Sequence, residues 1–183
     1  MDHELNGTLQ LETALLDFNG GRGYLEKDWG SSFPHAYVWM QSNHFEQPGT
    51  SLFASVAIIP WLRGAFVGFI AGFLHQGHLY RFATYLNGEI EQLELPENRI
   101  SCILAGRSHR LDLQARLCRT GQLQAPGAAG MNRRIGESLD GTVAVTLSER
   151  KSGRVLFAQT GQHSGVEASG DLPRLLRMVH GSP

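Results

Sequence analysis

Residues 52–74 read LFASVAIIPWLRGAFVGFIAGFL, and the fold turns on whether that run is one helix or two strands. It has about the length of a membrane-spanning helix, for which roughly 20 apolar residues suffice. Against a helix, Pro60 sits in mid-run, Arg63 follows it, and Gly64, Gly68 and Gly72 all weaken helical structure. Two buried strands joined by a Pro-Trp-Leu-Arg-Gly turn account for the run better. No transmembrane segment is expected, and peripheral contact with a membrane is compatible with this reading.

Strand-like runs recur outward from this point. Upstream, residues 7–18 alternate and end at Asn19-Gly20-Gly21, and further runs cover 23–29, 34–45 and 51–59. Downstream, residues 65–75 turn at Gln76-Gly77 into 78–85, and Asn87-Gly88, the strongest hairpin signal in the chain, leads into 89–95. Residues 99–105, 109–118, 142–149, 154–160 and 165–169 follow, with a Gly/Ala/Pro/Gln-rich loop expected over 120–130. Only residues 172–179 read as helix, with Asp171 as N-cap and Pro173 in the first turn. Turns every roughly 8 to 12 residues with no helices between them predict a meandering antiparallel sheet. About ten strands in one domain predict closure into a barrel, which removes exposed edges. The expected fold is all-β: an antiparallel barrel with a short C-terminal helix, in a single domain over residues 1–183.

Composition narrows the function classes. With 183 residues, 42% of them apolar, the chain can bury a sizeable core and is not disordered. A net charge of -1 supplies no basic field, which argues against nucleic acid as partner. In a hairpin turning near Gly106-Arg107, Cys102 and Cys118 lie far apart along the ladder, too far for a disulfide. Two free buried thiols in a reducing, cytoplasmic setting are expected. The opening Met1-Asp2-His3-Glu4 is polar and acidic, unlike a leader peptide. His3, His75, His78, His109, His163 and His180 are scattered without zinc-like spacing, so no metal site is expected. His75 and His78 flank a turn and read as solvated.

Chemistry concentrates in residues 20–45, GGRGYLEKDWGSSFPHAYVWMQSNHF. By strand parity Tyr24, Glu26 and Asp28 share one face, with Leu25, Lys27 and Trp29 on the other. On the next strand Tyr37, Trp39, Gln41, Asn43 and Phe45 share a face that reads as a pocket wall of flat rings and orienting amides. Val38 and Met40 belong to the opposite, packing face, which His44 shares unless a bulge re-aims it. Lys27, Ser31, Ser32 and Gln47 read as ordinary surface residues, and Trp61, Phe66, Phe69 and Phe73 as core. Paired carboxylates beside two tryptophans are costly to bury without a purpose.

The run GYLEKDWGSSFP at 23–34, followed by YVWMQSNHF at 37–45, resembles the signature of tocopherol cyclases and tocopherol-cyclase-like proteins. The likeness continues through SVAIIPW at 55–61, RFATY at 81–85, RIGES at 134–138 and residues 161–171. Family members are usually longer. The resemblance is to their C-terminal half, which implies that Met1 would correspond to an internal position, and His35 stands where members often carry a smaller residue. The shorter theme Tyr-x-acid-x-x-Trp-Gly is similar to that of carotenoid hydratases, and these relatives imply a pair of lipocalin-like barrels of which this chain is the second.

The resemblance implies a cofactor-independent, isomerase- or lyase-type cyclisation. A prenylated benzoquinol would add its hydroxyl across the nearest double bond of its own tail, giving a chromanol. That calls for a neutral carboxylic acid in an apolar pocket, supplied by burial and by a second carboxylate nearby. Glu26 and Asp28 fit such a pair. Asp28 is preferred as the acid, although the hydratase theme aligns its acid with Glu26. Trp39, Tyr37 or Trp29 would steady carbocation character on the tail, Tyr24 would line the site, and Gln41 and Asn43 would hold the quinol hydroxyls. His44 or the ionised carboxylate would accept the quinol proton. Two other readings stand beside it: a lipocalin-like module that carries a hydrophobic or isoprenoid ligand without turning it over, and a structural domain needing a missing N-terminal half or a second copy of itself.

Overall fold

A computed structural model describes residues 1–29, 34–118, 120–127 and 130–181. Residues 52–74 form a hairpin, β6 (Ser51–Trp61) and β7 (Gly64–His75), paired without interruption from Ser51↔Leu74 to Trp61↔Gly64. The expected five-residue turn shrinks to Leu62-Arg63, with Leu62 at φ +51°. Pro60 is accommodated because β6 outruns β5 (Ala36–Ser42), whose ladder to it ends at Ala57.

The main sheet continues with β8 (His78–Ala83), β9 (Glu89–Glu94), β10 (Arg99–Ala105), β11 (His109–Arg116), β12 (Thr120–Gly127), β13 (Gly130–Glu149) and β14 (Val155–Gly170). Its order is β8-β7-β6-β5-β14-β13-β11-β10-β9, antiparallel throughout, with β12 paired to β13. Near the N-terminus, β1 (His3–Leu5) pairs β4 (Gly21–Gly23), and β2 (Thr8–Leu11) pairs β3 (Ala14–Asp17). No helix among the described residues is long and apolar enough to cross a membrane.

The sheet curls without closing. Tyr80 on β8 and His109 on β11 bring their rings to 4.9 Å, and Phe73 on β7 meets Phe157 on β14 at 4.9 Å, although neither pair of strands is adjacent in the sheet. Yet the end strands β8 and β9 share no ladder among the described residues, so the expected barrel closure is not found. A 3₁₀ turn (Thr84–Leu86) and Asn87 at φ +58° lead the chain off β8 before β9 begins. The helix α1 (Leu172–His180) packs against β9, β5 and β7, with Leu175 fully buried. Asp171 caps it as expected, accepting from the Arg174 N–H at 3.0 Å. The chain reaches α1 through Gly170 at φ +91°, where a Cβ would lie 1.9 Å from the His35 carbonyl oxygen.

Core side chains occupy one face of the curl. Val38, Met40, Leu52, Val56, Phe73, Leu104, Leu113 and Val145 belong to one buried cluster. On β5 and β6 the alternate residues Tyr37, Trp39, Phe53, Ser55 and Ala57 point the other way.

Several expectations are corrected. Residues 7–18 make the β2–β3 hairpin, because the chain reverses at Glu12, held at φ +47°. Beyond Gly23 the backbone leaves the sheet, so 24–29 is irregular. The expected loop over 120–130 is largely β12, and β13 and β14 run on through register shifts at residues 138–143 that absorb the Gly and Asp of that stretch. Cys102 is buried opposite Leu113, its thiol pushed up to about 12 by burial, whereas Cys118 is exposed; both are free. His75 is buried rather than solvated, stacked on Phe73, with Nδ1 3.2 Å from Thr50 Oγ1. Trp61 and Phe66 lie at the exposed end of the hairpin instead of in the core. Ser31 and Ser32 fall outside the described residues.

Candidate active site

The site is built on a row of residues that face one another across five strands. Glu137 on β13 opposes Glu167 on β14, Glu167 opposes Trp39 on β5, Trp39 opposes Ser55 on β6, and Ser55 opposes Ile70 on β7. Opposed residues in antiparallel strands project to the same side, so the row floors the face away from the core. Trp39 can lie flat there because Gly165 carries no side chain: a Cβ would come within 2.8 Å of the indole.

The roof comes from the irregular segment after β4. Arg22 anchors its start by donating to both Asp2 carboxylate oxygens, at 3.0 and 2.6 Å. The chain then brings Glu26 to the N–H edge of the Trp39 indole. Trp39 Nε1–H donates to Glu26 Oε2 at 3.1 Å, and the Tyr24 hydroxyl donates to the same oxygen at 2.5 Å. Between roof and floor lies a cavity of about 680 Å³. Phe53, Ala57, Ile59, Ile70, Pro34 and Trp29 give it apolar walls. Glu26, Asp28, Glu137 and Glu167 bring four carboxyl groups to it, and Tyr37 donates its hydroxyl to Glu167.

The carboxyls are not equivalent. Burial pushes the Glu26 carboxyl above the ordinary glutamate range. The hydrogen bonds from Tyr24 and Trp39 pull it down, and the neighbouring Asp28 carboxylate pushes it up again. Burial also raises Glu137. The Tyr24 phenol is raised well beyond its usual value, first by burial and then by its bond to Glu26, so it stays a donor.

Of the residues singled out from the sequence, the fold gathers Glu26, Asp28, Trp29, Tyr37 and Trp39 at the cavity, with Tyr24 behind Glu26. Trp29 stands at the mouth, 84% exposed. Three lie elsewhere. Gln41 shares the Trp39 face but does not line the cavity, and its Oε1 is buried with no hydrogen-bond partner among the described residues. Asn43 is buried, donating to Asp2 Oδ1 at 3.5 Å. His44 is exposed past the end of β5, its ring 5.3 Å from that of His163. Partial burial lowers its pKa first, with His163 and Arg22 adding to the effect.

Glu137 and Glu167 escaped the sequence reading. One signal was present for Glu167: the run 165–169 alternates, so with Val166 in the core Glu167 must face the other side. No local signal pairs it with Glu137, whose register depends on the shifts at 138–143. Among the described residues no group of three or more His, Cys, Asp or Glu side chains is arranged to hold a metal ion.

A cavity with apolar walls and several carboxyl groups, built on an antiparallel sheet, has the make-up of a site for a hydrophobic ligand. The chain belongs to the tocopherol cyclase-like family, whose profile matches residues 1–170. No curated protein matches it, and no solved structure does. Family membership points to a cyclase or isomerase type of function.

Proposed function

We propose that the cavity binds a prenylated benzoquinol and closes it to a chromanol by protonating the tail double bond. The observation that carries this reading is Glu26: a carboxyl whose pKa burial raises, bonded to an indole N–H at a cavity with apolar walls. A weakly basic alkene needs a neutral acid, and burial keeps the proton on. The Tyr24 and Trp39 donors then steady the carboxylate that forms when the proton leaves. This arrangement favours Glu26 as acid over Asp28, which sits beside it and adds to its rise. Tertiary cation character on the tail would meet the ring faces of Tyr37 and Trp39, worth about 1–2 kcal/mol per desolvated ring.

The test is incubation of the purified chain with a phytylated benzoquinol under reducing conditions, with chromanol followed by chromatography. Glu26→Gln is expected to lower turnover at least 100-fold, as loss of a general acid does. Asp28→Asn is expected to cost less. Full activity in Glu26→Gln would remove it as the acid.

A second reading, a lipocalin-like carrier of isoprenoid ligands, is favoured by the open mouth at Trp29, 84% exposed. Saturable quenching of tryptophan fluorescence by the quinol without product would support it. Peripheral contact with a lipid surface belongs to either reading: Trp61 and Leu62, 64% and 92% exposed, sit beside Arg63 at the tip of the strands that wall the cavity.

A further inference from the structure

The acid step leaves half of the cavity's carboxyl groups without a task. Glu137 and Glu167 stand directly opposite each other on β13 and β14, which puts their Cβ atoms about 5 Å apart. Two like charges so placed in a partly buried site repel, which favours a state in which the pair shares one proton. The Tyr37 hydroxyl decides which: it donates to Glu167, and a donor favours the ionised form. Glu137, raised by burial and with no such donor among the described residues, is the member that more readily holds the proton. Glu167 is only 7% exposed, yet it lines the cavity. His44, one of the two acceptors expected from the sequence, is not among the residues that line the cavity.

Resting on the cyclase reading above, we infer that Glu167, held by Tyr37 and opposed by Glu137, is the general base that takes the proton of the cyclising quinol hydroxyl. The step balances within the substrate. The Glu26 O–H bond breaks as a C–H bond forms on the alkene, and a lone pair of the quinol oxygen forms the C–O bond at the tertiary carbon. The O–H proton of that oxygen passes to the Glu167 carboxylate. One proton enters at carbon and one leaves from oxygen, with no redox partner consumed. Glu26 ends ionised and Glu167 protonated, and water entering past Trp29 resets both. Among the described residues, the titratable groups that line the cavity with Glu167 are Glu137 from β13, Tyr37 from β5, and Glu26 and Asp28 from the roof.

The experiment is the pH dependence of kcat for chromanol formation by the full chain, its Glu167→Gln variant and its Tyr37→Phe variant, each checked by thermal unfolding. Glu167→Gln is expected to lower kcat about 100-fold and to abolish the limb that rises with pH. Tyr37→Phe removes the donor, which raises the base's pKa and moves the rising limb to higher pH. A merely structural role would lower the amount of folded protein without moving either limb. If Glu167→Gln does not fold, the Tyr37→Phe limb decides, and an unmoved limb overturns the inference. An active wild type whose Glu167→Gln variant keeps its rising limb also overturns it, leaving the cyclase reading in place. A wild type that makes no chromanol overturns the cyclase reading itself, and the inference with it.

Discussion

Glu26 is held between opposing influences, and the balance among them has a measurable sign. Burial and the Asp28 carboxylate favour its neutral form, while the Tyr24 and Trp39 donors favour the ionised form, and burial prevails. Its folded pKa therefore exceeds its unfolded one. The folded chain binds more protons than the unfolded chain between the ordinary glutamate value, about 4.3, and the raised one. The stabilising contribution is full below that window and is lost as pH rises through it. Urea midpoints of wild type and Glu26→Gln at pH values below and above the window should show the variant gaining relative stability toward neutral pH. A difference that is constant with pH would contradict the assignment. The Tyr24, Glu26 and Asp28 grouping was legible in the sequence, but for a different reason from the one that holds. Strand parity predicted a shared face, whereas an irregular segment gathers the three through hydrogen bonds and charge.

Elements were readable where alternation met two different environments. On β5, Val38 and Met40 face the core while Tyr37 and Trp39 face the cavity, so parity sorted them correctly. It overreached at the strand end, where Asn43 and His44 leave the ladder. On β13 no parity could be carried along the strand, because the register shifts at 138–143 break it. The β6–β7 hairpin was legible as two strands from Pro60 and the glycines, but its two-residue turn was not. That turn places a leucine at φ +51°, a left-handed conformation costing a non-glycine residue about 1 kcal/mol. Leu62→Asn should raise the unfolding free energy by about 0.5–1 kcal/mol in urea titration, since asparagine tolerates that conformation. The same variant should float less with anionic lipid vesicles if the tip meets a membrane. Unchanged stability would show that the turn relaxes around leucine, and unchanged flotation would remove the tip as the contact.

At the scale of the whole molecule, one curled sheet separates a filled face from a hollow one. The packed cluster takes the place that a ligand would occupy inside a barrel, and the cavity lies on the reverse side under the 24–29 roof. About ten strands argued for closure, but strand number alone does not supply a closing ladder, and here β8 and β9 stay apart. That seam sets the order in which the molecule comes undone. Amides on β8 and β9 have a ladder on one side only, so small fluctuations release them first, while those of β5 and β14 lie between two partners. Native-state hydrogen exchange should therefore run inward from the seam, with Trp39 and Glu167 among the last backbone positions to trade protons with solvent. The floor of the cavity would then outlast the frame that encloses it, and a chain frayed along its seam would still hold Trp39 and Glu167 in register.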